Sequence, residues 1–306
     1  MLNLPECAKI KVVNFVNNKL VKGTSVMNIK ITADSTCDLS PEIVEKYSIE
    51  ILPLYIVKDG KSYKDMKDIV PQDIFNHVNS GGAITTTTAI NAEEYTEYFT
   101  PLSTQYDAVI HINISAEFSS CHQNARIAAE EFDNVYVIDS RNLSTGSGHI
   151  VVEAAIMAQN GATAEEIVQT MNSLTSRVEA SFVVDKLDYL RKGGRCSALA
   201  ALGANLLSLR PCIEVKDGKM GVGKKYRGKF DACIEKYVNE RLEGRNDIVT
   251  DRIFITHTPC DKAIVDVVRK AIKKHMQFTE IIETNAGCTV SSHCGPNTLG
   301  ILFIRK

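Results

Sequence analysis

Short stretches of this chain place hydroxyl and imidazole groups where they could hold a small anion. They are the run of four threonines Thr85 to Thr88, the serine pair Ser119 and Ser120 in "SAEFSSC", and His293 in "SSHCGPNTLG". A serine or threonine hydroxyl donates one hydrogen bond, and a neutral imidazole still carries one N–H. Each stretch also has an ordinary reading. Serine, threonine and aspartate cap helices, and a lone histidine is commonly a hydrogen-bonded structural residue. Four threonines in a row exceed what one cap needs. Ser119 is expected in the first turn of a helix, beside orphan N–H groups and the positive end of the helix dipole. It reads either as an N-cap serine or as the seat of a carboxylate or phosphate.

Motifs for turnover are missing. No G-x-G-x-x-G follows a strand, and no G-x-S-x-G elbow occurs. "GKMGVGKK" imitates a phosphate loop but has Lys225 at the Ser/Thr position and lies in a predicted hairpin. Cys288 and Cys294, near His293, lack zinc-like spacing. An anion site without chemistry of its own survives this elimination, and no cofactor or metal is expected.

The elements that must position these groups alternate in the first half. "NIKITAD", "IEILPLYIV", "DAVIHINIS" and "NVYVIDS" read as strands. Ser40–Pro41 marks a helix start, and Asn91/Glu94 and Thr163/Glu166 have capping-box spacing. Phe118, Cys121, Ala125, Ala128, Ala129 and Phe132 fall on one helical face. This alternation predicts βαβ units around a parallel sheet. Hydroxyls and aspartates follow three of these strands, in "ADSTCD", "SAEFSS" and "DSRNLSTGSG". Ligands of open α/β sheets bind at those ends. In the second half Asp217–Gly218 signals a hairpin, "RIFITHT", "FTEIIETN" and "TLGILFIRK" read as strands, and Ile264, Val267, Val268, Ala271 and Ile272 form a helical face. His293 is expected in the Gly/Pro-rich turn before the last strand. The fold class is therefore α/β in two domains: a parallel-sheet domain over 27–178 and a mixed-sheet domain over 179–306, with the boundary near 175–182.

Length, 306 residues, allows one large domain or two. A net charge of −2 gives no electrostatic case for nucleic acid. Nine scattered cysteines without Cys-x-x-Cys read as reduced thiols of a cytoplasmic protein. Residues 1–26 carry Lys9, Lys11, Lys19 and Lys22 against Glu6, with no signal-peptide pattern. They read as a dispensable extension; the alternative is an amphipathic segment making transient contact with a membrane surface.

Taken in order, "TADSTCDLS", "TTTTAINAEEY", "ISAEFSSCHQNA", "VIDS", "LRKGGRCS", "LLSLRPCIEV" with "DGK", "KKYRG" and "HCGPNTLG" resemble the DegV family, from about Met27 to Lys306. The resemblance implies a two-domain α/β carrier that buries a long-chain fatty acid between its domains and presents the carboxylate to a separate fatty acid kinase for acyl-phosphate formation. It implies no independent turnover. It places carboxylate-binding hydroxyls on Thr87 and Ser119, with Thr88 and Ser120 beside them, and the histidine on His293. It assigns Arg195 and Arg227 to kinase contact or the acyl phosphate, so that Arg195→Glu is expected to spare lipid binding. The family's "TSQPS", "LSGTY" and "GPG" read here as Thr87-Thr88-Ala89-Ile90-Asn91, Phe118-Ser119-Ser120-Cys121-His122 and Gly295-Pro296-Asn297. The alternatives are a small-molecule phosphotransferase of dihydroxyacetone-kinase-like fold using His293, and a scaffold whose pocket is only structural.

Overall fold

The computed structural model describes residues 27–202 and 209–306. The lysine-bearing segment 1–26 lies outside the described residues, as do residues 206–208 of "LLSLRPCIEV".

The first lobe is built on a four-stranded, all-parallel sheet. Its order is Glu50–Leu52, Ile29–Asp34, Ala108–Asn113, Val135–Asp139. The second lobe is a six-stranded mixed sheet. Its order is Lys219–Arg227, Leu209–Lys216, Val178–Val183, Leu299–Arg305, Ile248–His257, Glu280–Asn285. Only its last pair is parallel; the others are antiparallel. This is the α/β class with a parallel-sheet N-terminal domain and a mixed-sheet C-terminal domain. The expected hairpin pairs Lys219 with Lys216 across Asp217–Gly218. Asp217 has φ +52° and Gly218 φ +80°, as the turn type requires.

The capping boxes form as the spacing predicts. Asn91 Oδ1 accepts the Glu94 N–H at 2.9 Å, and Glu94 Oε2 accepts the Asn91 N–H at 3.1 Å. Thr163 and Glu166 exchange the same pair. The run "IEILPLYIV" is not one strand. Pro53 divides it into Glu50–Leu52, an edge of the parallel sheet, and Tyr55–Lys58, the centre of a separate three-stranded antiparallel sheet with Lys61–Lys64 and Thr86–Thr88. A proline cannot donate to a ladder, so the chain changes sheets there.

Helix Thr145–Gln159 has no single apolar stripe and is buried through most of its length, its small and polar residues included. Ile150 and Val151 pack into the core under the parallel sheet, and Val152 joins the core shared by both lobes. His149 Nε2 donates to the Leu302 carbonyl of the second sheet at 3.0 Å. In helix Lys262–His275 the buried positions are Val265, Val268, Ala271 and Ile272; Ile264 and Val267 are only partly covered, so the face is rotated from the one predicted. The shared core gathers Ile114, Phe118 and Leu143 from the first lobe with Phe182, Ile213 and Met220 from the second. The hairpin that carries Met220 is anchored at its tip: Ser115 Oγ donates to the Gly218 carbonyl at 2.8 Å, and Arg141 Nη2 donates to the Asp217 carbonyl at 2.8 Å.

Candidate functional site

The threonine run is explained by strand periodicity. Alternate residues of a strand face the same way. Thr85 Oγ1 lies 2.7 Å from Ser292 Oγ, and Thr87 Oγ1 lies 2.9 Å from His293 Nε2. Thr86 and Thr88 are exposed, with Thr88 at the edge of a cavity. So Thr85 and Thr87 of the strand Thr86–Thr88 region both serve one helix, Cys288–Cys294. His293 stands in the last turn of that helix, not in a loop as expected. The helix is only seven residues long and carries no apolar stripe in its sequence, "CTVSSHC", so periodicity did not reveal it.

Ser119 is also displaced from its predicted place. The helix after the strand Ala108–Asn113 begins at Cys121, so Ser119 precedes it by two residues. Its Oγ accepts the Cys121 N–H at 3.2 Å and donates to Cys121 Sγ at 3.1 Å. A thiol is a weak acceptor, so this hydroxyl is available to a stronger one. Phe118 does not share the helix's apolar face. It joins the core between the lobes, while Cys121, Ala125 and Ala128 pack into another cluster.

Thr87, Thr88, Ser119, Ser120, Arg195 and His293 line one cavity of about 380 Å3. Leu54, Ile114, Phe118, Leu143, Met220 and Val290 supply apolar lining to the same cavity. Such a volume falls in the range of small-molecule sites. Asn124 and Thr289 line it as well and were not anticipated from sequence. Asn124 Nδ2 donates to the Ile90 carbonyl at 2.7 Å, the one hint being its place a turn into the helix after Ser119. Arg195 is exposed and reaches the cavity from the turn after helix Leu187–Gly193, with its Nη1 donating to the Gly193 carbonyl at 2.8 Å. It is part of the cavity wall. Arg227 does not join it. That residue is exposed at the end of the strand Lys219–Arg227, paired with Leu209, and is not among the cavity residues.

Burial, with the Arg195 charge adding to it, pushes the His293 imidazole down to about 4. The ring is therefore neutral at ordinary pH. Its Nδ1 is buried without a hydrogen-bond partner. With Nε2–H donating to Thr87 Oγ1, the threonine proton is free to point at an incoming oxygen anion, and the two bonds polarise each other. Burial pushes the Cys294 thiol up to about 12 and raises Cys121 as well, which disfavours the thiolate that nucleophilic attack requires. Among the described residues no three His, Cys, Asp or Glu side chains gather as metal ligands would.

Two α/β lobes share a cavity lined by apolar side chains, neutral hydroxyls, an imidazole and one arginine, the make-up of a small-molecule-binding site. A family model described as an uncharacterised protein of the DegV family matches residues 28–306. The chain belongs to the DegV family. It is similar to a DegV domain-containing protein of Caldanaerobacter subterraneus subsp. tengcongensis, 33% identical over 281 residues, covering 91% of this chain and 99% of that protein. It is similar to a fatty acid-binding protein of Thermotoga maritima, 31% identical over 288 residues, covering 90% and 96%. Among solved structures, a DegV family protein from Thermus thermophilus described for its fatty acid binding superposes with a TM-score of 0.83 at 27% identity, covering 92% of this chain and 100% of that one. No helix among the described residues is long and apolar enough to cross a membrane.

Proposed function

We propose that this protein binds a long-chain fatty acid, with the tail in the apolar cavity and the carboxylate at its polar rim, where the Thr87 and Ser119 hydroxyls donate to it and His293 holds the Thr87 hydroxyl in place. The observation that carries this reading is that Thr87, Ser119 and His293, from separate parts of the chain, line one cavity together with Leu54, Ile114, Phe118, Leu143, Met220 and Val290. Each methylene removed from water contributes about 0.8 kcal/mol, so the tail supplies most of the affinity. Each hydrogen bond to the ionised headgroup adds about 1.5–3 kcal/mol and fixes its orientation. Thr88 and Ser120 stand beside these donors as further hydroxyls on the rim.

An acid held by its headgroup at a rim suits a carrier. We infer that a partner kinase, bringing ATP and magnesium, phosphorylates the exposed carboxylate. A carboxylate oxygen attacks the terminal phosphorus, ADP leaves, and the product is the acyl phosphate. The exposure of Arg227 outside the cavity lining supports assigning it to contact with that partner. Burial and Arg195 hold the His293 imidazole down to about 4, which makes it a weak proton acceptor and weighs against that role in the phosphotransferase alternative.

Mass spectrometry of an organic extract of the purified protein tests the reading. A co-purifying acyl chain is expected. A polar, hydroxylated metabolite would favour the phosphotransferase, and an extract with no ligand, from protein that also fails to take up added palmitate, would favour the scaffold.

A further inference from the structure

The helix that carries His293 belongs in sequence to the second lobe, lying between two strands of the mixed sheet. Its amino end is held by two buried carboxylates of the first lobe. Asp65 Oδ1 accepts the Cys288 N–H at 2.7 Å; Asp65 Oδ2 accepts the Thr289 N–H at 3.2 Å, the Thr289 hydroxyl at 2.6 Å and the Ser35 hydroxyl at 2.9 Å. Asp38 Oδ1 accepts the Gly287 N–H at 2.7 Å, and Asp38 Oδ2 accepts the Ser144 hydroxyl at 2.5 Å. Three successive backbone donors at the helix start are thus satisfied from the other lobe rather than by a local cap. Such donors have no partner within the helix. The carboxylates close tightly over the chain there: a Cβ at Gly287 would lie 3.2 Å from Asp38 Oδ1 and 3.3 Å from Asp65 Oδ1.

Two further observations mark this grip as more than packing. Asp38 has φ +50° and Ser144, its partner, has φ +52°, conformations that non-glycine residues adopt at a cost. And Thr289, which Asp65 holds by both its N–H and its hydroxyl, itself lines the cavity. His293 stands four residues on, one turn further along the same helix face.

We propose that Asp65 and Asp38 are positioning residues of the headgroup site: by fixing Gly287, Cys288 and Thr289 they set where the His293 imidazole meets Thr87, and they make that meeting depend on the docking of one lobe against the other. This rests on the fatty-acid reading of the cavity, but the geometry of His293 can be read without lipid.

Asp65→Asn tests it. The amide keeps the size of the carboxyl but must turn its NH2 toward an N–H or O–H donor, whichever way it is placed. The lipid-free protein is observed by NMR of the His293 ring nitrogens across pH, and palmitate binding is measured by titration calorimetry. A rise of about one pH unit or more in the His293 midpoint is expected, as the ring loosens toward water. Palmitate affinity is expected to fall about tenfold, the loss of one bond to the charged headgroup. Should Asp65→Asn fail to fold, Thr289→Val removes one of the four donors and is expected to act in the same direction, with Thr289→Ser restoring wild-type behaviour. The midpoint decides. If it stays at the wild-type value in a folded variant, Asp65 supports only the fold and the proposal is overturned, whatever happens to affinity. If the wild-type protein binds no palmitate, the reading of the cavity fails, while the midpoint still tests the positioning.

Discussion

Gly193 lies against the His293 ring so closely that a Cβ on it would come 2.4 Å from Nδ1. The glycine ends helix Leu187–Gly193, and the next residue, Gly194, has φ +68° with open space around its missing Cβ. The two glycines therefore do different things. Gly193→Ala has no left-handed backbone to strain, but must push the imidazole off Thr87. Its expected effect is a loss of fatty-acid affinity of about ten- to a hundredfold, the value of one hydrogen bond within the network that meets a charged group, with little change in Tm. Gly194→Ala strains the backbone by about 1–2 kcal/mol, so it should lower Tm by a few degrees and leave affinity alone. Calorimetry of both variants checks the pair, and equal affinities would mean that the ring position does not govern binding.

The protonation of His293 gives a second test. In the lipid-free protein its ring should titrate near 4 rather than 6.5, because burial and then Arg195 disfavour the imidazolium. The sign follows from linkage. A histidine with a depressed folded pKa is neutral in the fold while the unfolded chain takes up a proton, so its contribution to stability is whole above 6.5 and falls as pH drops from 6.5 through 4. Buried His111 and His149, pushed down to about 3, act in the same direction. Asp38 opposes them: burial pushes it up to about 8, so its contribution is whole below 3.8 and is lost as pH rises through 8. Global unfolding curves mix these terms, and site-resolved NMR of the ring is the measurement that separates them. A His293 midpoint of 6 or above would contradict a dry, neutral imidazole.

What the sequence revealed and what it hid divide along the range of the interactions. The boxes at Asn91/Glu94 and Thr163/Glu166 and the hairpin at Asp217–Gly218 depend on residues within a few positions of one another, and all three were legible. The rim residues Thr87, Ser119 and His293 were named through resemblance to a family, since Thr87 and His293 meet across 206 positions of chain. Asp38 and Asp65 went unnoticed as site residues because an isolated aspartate after a strand looks like a cap. Their partners, Gly287 to Thr289, stand 223 to 249 positions away, and no local pattern marks them. The break at Pro53 was legible in principle; an apolar run on both sides concealed it.

Arg195 supplies a prediction that departs from the sequence expectation. Because it lines the cavity and its charge bears on His293, Arg195→Glu should not spare lipid binding. It removes a cation from beside the carboxylate site and installs an anion. Fatty-acid affinity should fall about three- to tenfold at 0.15 M salt, less at higher salt, since the guanidinium is exposed and screened. The His293 midpoint should rise, as a neighbouring carboxylate favours the imidazolium. Arg227→Glu should change neither quantity and should affect only kinase-dependent product formation. Unaltered affinity and midpoint in Arg195→Glu would place its guanidinium away from the bound headgroup.

Headgroup and tail can be separated by measuring one against the other. Over a series of saturated acids, affinity should tighten about fifteenfold for each added pair of methylenes, as about 0.8 kcal/mol per methylene dictates. The rise should end abruptly where the tail fills the apolar part of the cavity. Thr87→Ala combined with Ser119→Ala removes two hydroxyls assigned to the carboxylate and leaves the apolar lining intact. It should weaken every chain length by the same factor, about a hundredfold, leaving the slope per methylene unchanged. Those residues lie on different elements, so their losses should add unless the hydroxyls act through a shared hydrogen-bond network. A changed slope would mean that the two residues shape the tail pocket, and an unshifted line would mean that the carboxylate binds somewhere else.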